Sequence, residues 1–243
     1  MEEKREIIKG STSYQVMMHH VDESCFCRIG VIGDMMLHAA SINSWELGFG
    51  MAKLKEMNFA WVLTNFSVEM FSMPRFMDRI RVDTWMEDKH HTIVSRNFAV
   101  YNENNELIGG GASYWTVIDI NKRIAADFRM LDLMPCSIKE PGPIGKPLRF
   151  KAGKQEPLKT LKVCYSDIDQ NRHMHSLKYI EHILDTVPYE ELIKNTIKRL
   201  DVSYHSEILI GDSYTICRST DSEEKLYAIY RSDGKLATVV RLK

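Results

Sequence analysis

The sequence predicts an α+β protein of two similar halves, each an antiparallel sheet wrapped around a central helix. Three observations carry this. An order of strand, helix and several strands occurs twice; a proline-rich stretch separates the two occurrences; and short residue matches recur between them at fixed spacing. Val68 stands ten positions before Asp78, with Ile80 and Val82 following, and Val202 stands ten before Asp212, with Tyr214 and Ile216 following. Both pairs are offset by 134 positions.

In the first half "SYQVMMHHVD" reads as a strand and "DMMLHAASINSWELG" as a helix, with Met36, Ala39, Ala40 and Leu47 at helical spacing. Four runs rich in branched and aromatic residues follow: "FAWVLTNFSVEMF", "DRIRVDTWMED", "TIVSRNFAVYN" and "LIGGGASYWTVIDI". "GGG" at 109–111 marks a bend or a close backbone approach. The segment 131–157 holds five of the seven prolines and reads as a linker between a domain at 1–130 and a domain at 158–243. The second half then offers "LKVCYSDI" as a strand and "SLKYIEHILDTV" as a helix with Leu177, Ile180, Leu184 and Val187 on one face. Three strands are expected after it, the last two joined at Asp233-Gly234, a hairpin signal.

Composition removes several classes. The formal charge is -1, with 32 basic against 33 acidic residues, so no global field draws the chain to nucleic acid or an anionic membrane. No apolar run is long enough to span a bilayer, and "MEEKREIIKG" is charged where a secretory signal needs its apolar region, which places the protein in the cytoplasm. Five cysteines without zinc or redox spacing read as free thiols. No metal or cofactor is expected: "GFGMAK" lacks the third glycine and preceding strand of a dinucleotide loop, and no G-x-S-x-G elbow occurs.

One stretch concentrates polar chemistry. "SDIDQNRHMHSLKYIEHIL" brings Asp169, Asn171 and His173 to alternate positions just before a helix, where extended side chains share a face. Taken singly, each is an ordinary cap or boundary residue. Taken together, an acid, an amide and an imidazole beside unpaired helix-start N–H groups suit acyl hydrolysis: a base for water, a donor for the carbonyl oxygen and a group that orients the base.

"DIDQNRHMHSLKYIEHIL" resembles the D-x-N-x-H-x-N-x-x-K-Y signature of the acyl-acyl-carrier-protein thioesterases, the plant-type enzymes with bacterial relatives. The likeness extends to "LDVSYHSEILIGDSYTI", where the family has a catalytic glutamate, here Glu207, and to "NFAWVLTNFSVEMFSMPRFMDRIRVDTW" in the first half. It implies a tandem (double) hotdog fold, and Asp169, Asn171, His173 and Glu207 as the catalytic set. Two positions depart from the pattern: His175 replaces the usual asparagine, and Ile208 stands where plant members often have cysteine. A thiol nucleophile is therefore absent at that position, which favours direct attack by water; Cys164 is read as a buried strand residue.

The expected scheme has Glu207 activating water, Asn171 positioning it, N–H groups near Met174 and His175 stabilising the oxyanion, and Asp169 orienting His173 for proton transfer. At an offset of 134, or one more, the first half places Leu37 or Met36 opposite Asn171 and Met73 or Ser72 opposite Glu207, so it is expected to be silent. Its methionines, Met35, Met36, Met51, Met57, Met70, Met73 and Met77, are candidates for an acyl pocket. The resemblance implies acyl carrier protein, bearing a fatty acyl chain, as partner. Arg149, Lys151, Lys154, Lys159, Lys162, Arg172 and Lys178 are candidates for docking this acidic protein. Free sheet edges would allow a homodimer. The alternatives are a hotdog acyl-coenzyme A thioesterase and a noncatalytic acyl-binding hotdog protein.

Overall fold

The computed structural model describes residues 9–128, 137–194 and 197–243. The first half runs β1 (Gly10–Gln15), α1 (Ile29–Glu46), α2 (Met51–Glu56), β2 (Phe59–Met70), β3 (Arg79–His90), β4 (Ile93–Asn102), β5 (Leu107–Asp119) and β6 (Ile124–Ala125). The second runs β7 (Gln155–Lys162), α3 (Ser176–Leu184), α4 (Tyr189–Leu192), β8 (Arg199–Tyr204), β9 (Ser213–Ser219), β10 (Lys225–Arg231) and β11 (Leu236–Leu242). All the strands described belong to one antiparallel sheet in the order β1-β3-β4-β5-β2-β8-β11-β10-β9-β7, with β6 attached to β5. This is the tandem hotdog.

Four strands, rather than three, follow α3, because the chain leaving Tyr204 turns at Gly211 (φ +88°) and returns as β9. Both expected opening strands stop early, giving way to 3-10 turns at Met18–His20 and Tyr165–Asp167. The helix in the first half begins at Ile29, well before Asp34, since Ile29, Ile32, Met36, Ala39 and Asn43 continue one buried stripe. α3 buries Leu177, Ile180 and Ile183. The two helices meet where Gly33 faces Leu177, leaving 3.4 Å between a would-be Cβ and the leucine Cδ2. One hydrophobic core, with Phe66, Val68, Ile180 and Val202 at its centre, runs through both halves.

The first part of the proline-rich segment, with Pro135 and Cys136, lies outside the described residues. The rest crosses the sheet of the first half in extended form and ends at Gln155, where β7 begins. The Glu140 carbonyl accepts N–H groups from Trp85 (2.8 Å) and Asn97 (3.3 Å), and Lys146 pairs with Glu87 at 3.3 Å. Close approach explains the glycine run: a Cβ on Gly110 would lie 2.3 Å from Pro143 Cγ, and one on Gly111 2.6 Å from the Met36 sulfur.

β2 and β8 join the halves. Phe66 pairs with Val202, Ser67 with Asp201 and Val68 with Leu200. Ser67 and Asp201 are 134 positions apart, the spacing of the repeat, so each is the other's counterpart and the local two-fold passes between them. The Asp201 carboxylate is wholly buried there, and it accepts from Ser67 Oγ (2.6 Å), Arg199 Nη2 (2.9 Å) and Arg241 Nη2 (2.7 Å). Burial alone would push its pKa up, but the hydrogen bonds from Arg199, Ser67 and Arg241 outweigh that and hold it below the ordinary 3.8. Asp201→Asn leaves two arginines short of their counter-charge and is expected to cost about 3 kcal/mol or more in urea unfolding, against about 1 kcal/mol for Ser67→Ala. Because the folded-state pKa is depressed, the stabilisation from Asp201 is present above pH 3.8 and is lost as pH falls through the lower, folded-state value. Unfolding curves of Asp201→Asn and the parent should therefore converge at strongly acid pH.

Candidate active site

Asp169 opens a tight loop that ends at α3. Its Oδ1 accepts backbone N–H groups from Asn171 (2.8 Å) and His173 (3.2 Å), its own N–H reaches His173 O (2.9 Å), and Arg172 N–H returns to Asp169 O (3.0 Å). Arg172 takes the left-handed conformation (φ +66°) at the tip. Such a loop needs a short acceptor side chain at its start, which Asp169 supplies. Its described hydrogen bonds go to the backbone, so the expected contact from Asp169 to the His173 ring is replaced by a role in shaping the loop.

The ring of His173 turns to Glu207 instead, with Nδ1 3.3 Å from Oε1. Glu207 lies on the connection after β8, not on a strand, and a bridge between His173 and Leu209 brings the two segments together. That connection is pinned on every side. Arg231 Nη1 donates to Glu207 O (2.7 Å), Ile208 N–H donates to the Tyr179 hydroxyl (3.2 Å), Met174 N–H to Ile208 O (2.8 Å) and Leu209 N–H to Asp212 (3.0 Å). Burial, the first cause, with Glu207 and Asp169 nearby, pushes the Tyr179 hydroxyl up to about 12 although the Ile208 N–H opposes this, so it stays protonated. Glu207 beside Nδ1 favours the tautomer with its proton on that nitrogen, which leaves the Nε2 lone pair free.

The oxyanion donors differ from expectation. The Met174 and His175 amides are consumed by Ile208 O and Asp167 O (2.7 Å). The first-turn amides of α3, at Ser176 and Leu177, are the ones that helix geometry leaves open, and Ser176 lines the cavity. The Asn171 amide also faces the cavity, 4.0 Å from the Met51 sulfur. Cys164 is exposed, just ahead of the 3-10 turn, rather than buried in a strand. The other described cysteines, Cys25, Cys27 and Cys217, are free thiols as well.

The cavity, about 1000 Å³, holds Asp169, Asn171, His173 and Glu207 at one end and continues into the first half. There its walls are Leu37, Ala40 and Ser44 of α1 and Trp61, Leu63, Val94 and Trp115 of the sheet. Among the expected methionines only Met51 lines it; Met35, Met36, Met70 and Met73 face the sheet side and fill core, while Met86 and Met174 line the cavity unforeseen. Arg96 forms a polar patch on one wall, buried and bonded to Asn43 Oδ1 (2.9 Å), Thr84 Oγ1 (3.2 Å) and Ser44 Oγ (3.1 Å). Burial lowers its pKa to about 10. The cations at the mouth are Arg123, Arg231 and Lys235; none of the seven basic residues expected to dock a carrier lines the cavity.

The first half carries the same loop without the chemistry. Asp22 Oδ1 accepts from Ser24 N (2.9 Å) and Phe26 N (3.2 Å), Cys25 is left-handed (φ +62°), and Phe26 bridges to Arg75 as His173 does to Leu209. The counterparts of Asn171 and His173 are thus Ser24 and Phe26, not residues on α1, and Met73 stands for Glu207. The 134-residue spacing fails for this loop chiefly because α1 is 18 residues long against nine for α3, with a short helix following each, α2 and α4.

Fold and site together define a double hotdog with one polar half-site opening on a shared cavity. The chain belongs to the acyl-ACP thioesterase family: residues 9–130 match the family's N-terminal domain and residues 150–241 its C-terminal domain. A crystal structure of an acyl-ACP thioesterase from Bacteroides thetaiotaomicron superposes with a TM-score of 0.87 at 33% identity over 96% of both chains. An oleoyl-acyl carrier protein thioesterase of Coriandrum sativum is 21% identical over 77% of this chain. A palmitoyl-acyl carrier protein thioesterase of Gossypium hirsutum is 26% identical over 81% of it. The chain spans about half the length of these curated plant relatives, 54% and 48% respectively.

Tyr179 was not foreseen as part of the site, although it ends the K-Y of the motif. Tyr179→Phe strands the buried Ile208 N–H and is expected to cost about 1 to 3 kcal/mol, measured by thermal or urea unfolding.

Proposed function

We propose that this protein hydrolyses fatty acyl-ACP thioesters to free fatty acid and carrier-protein thiol. The observation that carries the reading is the His173–Glu207 contact of 3.3 Å at the polar end of a cavity whose other end is walled by apolar side chains. Family membership supports the carrier-bound substrate.

In this reading His173 Nε2 takes a proton from water, and Glu207, at Nδ1, orients the ring and stabilises the imidazolium as it forms. The hydroxide equivalent adds to the thioester carbonyl. Asn171 and the Ser176 amide donate to the oxygen that becomes negative. Collapse of the tetrahedral intermediate breaks the C–S bond, and the imidazolium returns its proton to the leaving thiolate. Asp169 holds the loop that presents Asn171 and His173. The first half supplies the acyl wall and no chemistry of its own, since Phe26 and Met73 occupy the equivalent positions.

Matched acyl-ACP and acyl-coenzyme A thioesters, assayed across chain lengths, test the substrate class. The expected outcome is higher kcat/KM for the carrier-bound series; preference for coenzyme A would reassign the substrate, and binding without release would remove the enzymatic reading. His173→Ala and Glu207→Gln are each expected to lower kcat by about a hundredfold or more. Near-normal turnover in either purified variant removes that residue from the scheme.

A further inference from the structure

The half without catalytic residues nevertheless reaches the catalytic carboxylate. The short hairpin between β5 and β6 is built by Asp119, whose carboxylate accepts the N–H groups of Asn121 (2.9 Å) and Lys122 (3.0 Å), while Arg123 N–H returns to Asp119 O (2.9 Å). Those bonds, the Lys122 amide first, hold the Asp119 carboxyl below its ordinary range, so the turn is fixed at neutral pH. Arg123 occupies the last loop position with φ +57°. Left-handed backbone elsewhere in this chain falls to Asn58, Asn105 and Gly234, which adopt it readily, and also to Cys25, Met77, His91 and Arg172. Nothing in that backbone conformation calls for arginine in particular, so the turn itself does not account for it.

Its side chain does. Arg123 Nη1 lies 3.9 Å from Glu207 Oε2, while Glu207 Oε1 is the oxygen near His173. The two carboxylate oxygens are thus addressed from the two halves of the molecule. The other ionisable or charged groups around Glu207 are Arg231, which binds its main-chain carbonyl, Lys235 and Asp169 on the cavity wall, and the protonated Tyr179 below. Among these described contacts, Arg123 is the cation on Oε2. Without it the glutamate side chain keeps several rotamers on a fixed backbone.

We propose that Arg123 is a positioning residue for Glu207, fixing the carboxylate so that Oε1 stays on His173. This rests on the hydrolytic reading above. The arginine side chain is 73% exposed, so the contact is weak in salt and its effect is moderate.

The experiment uses Arg123→Gly, Arg123→Lys and the parent protein, with unfolding curves and saturation kinetics on one acyl-ACP. Glycine suits the backbone, so its melting temperature should equal or exceed the parent's, while kcat falls about fivefold with KM unchanged, the upper range for an exposed ion pair. Arg123→Lys should recover part of kcat. At about 1 M salt, where the screening length shrinks to about 3 Å, parent kcat should approach that of Arg123→Gly. Parent-like kcat in Arg123→Gly, or a rise in KM alone, overturns the assignment while leaving the hydrolytic reading intact. A parent protein that hydrolyses neither carrier-bound nor coenzyme A thioesters overturns both.

Discussion

The pairing of β2 with β8 is the constraint on which the rest depends. Two hotdog sheets become one there, and the hydrogen-bonded seam runs through Ser67 and Asp201 at the local two-fold. A symmetric seam would place identical residues face to face; this one places a hydroxyl against a carboxylate and surrounds the carboxylate with Arg199 and Arg241. A buried charge in such a place is tolerable only with its partners in good geometry, so the register of β2 on β8 is specified more tightly than apolar packing alone would require. The cavity inherits that precision, since Leu63 lies on β2 and Tyr204 on β8, both on its wall.

From this seam the asymmetry of the site follows. Each half contains an Asp-initiated loop leading into a helix, with the same backbone hydrogen bonds and the same left-handed residue. The loop is therefore scaffold, retained whether or not chemistry occurs. What differs is the side chain at each station: serine, phenylalanine and methionine on one side, asparagine, histidine and glutamate on the other. The first half has filled its station with apolar bulk and lengthened its helix, and the extra turns of α1 bring Ala40, Ser41 and Ser44 to the cavity wall. One helix has become a pocket wall while the other remains the short base of the polar loop.

Much of this was legible in the residues. The strands of the first half announced themselves through β-branched and aromatic runs and the Asp233-Gly234 turn through its composition, whereas Asp169, Asn171 and His173 come together on a tight loop around left-handed Arg172 and not on the extended face that alternation suggested. Glu207 was reachable only by family resemblance, because its contact with His173 is made by a loop crossing far along the chain. The spacing of 134 was correct for the strands at the seam and misleading for the loop, since the longer α1 lies between the two and shifts the register on its far side. The amides of Met174 and His175 looked free because a helix start leaves donors open; tertiary carbonyls from Ile208 and Asp167 took them. Methionine content likewise says nothing about which flank of α1 a side chain covers.

The polarity of the cavity follows from the same division. Its apolar wall is supplied chiefly by one half and the Asn171, His173 and Glu207 cluster by the other, so the two ends of the cavity rest on separate segments of sequence joined at a single seam. A substitution among Leu37, Val94 or Trp115 changes the volume of the cavity without touching the contact between Glu207 and His173. The reverse does not hold: β2 and β8 both line the cavity, so a shift of one strand relative to the other moves the polar end against the apolar wall. Pocket shape can therefore vary freely along the first half, whereas the register at Ser67 and Asp201 cannot.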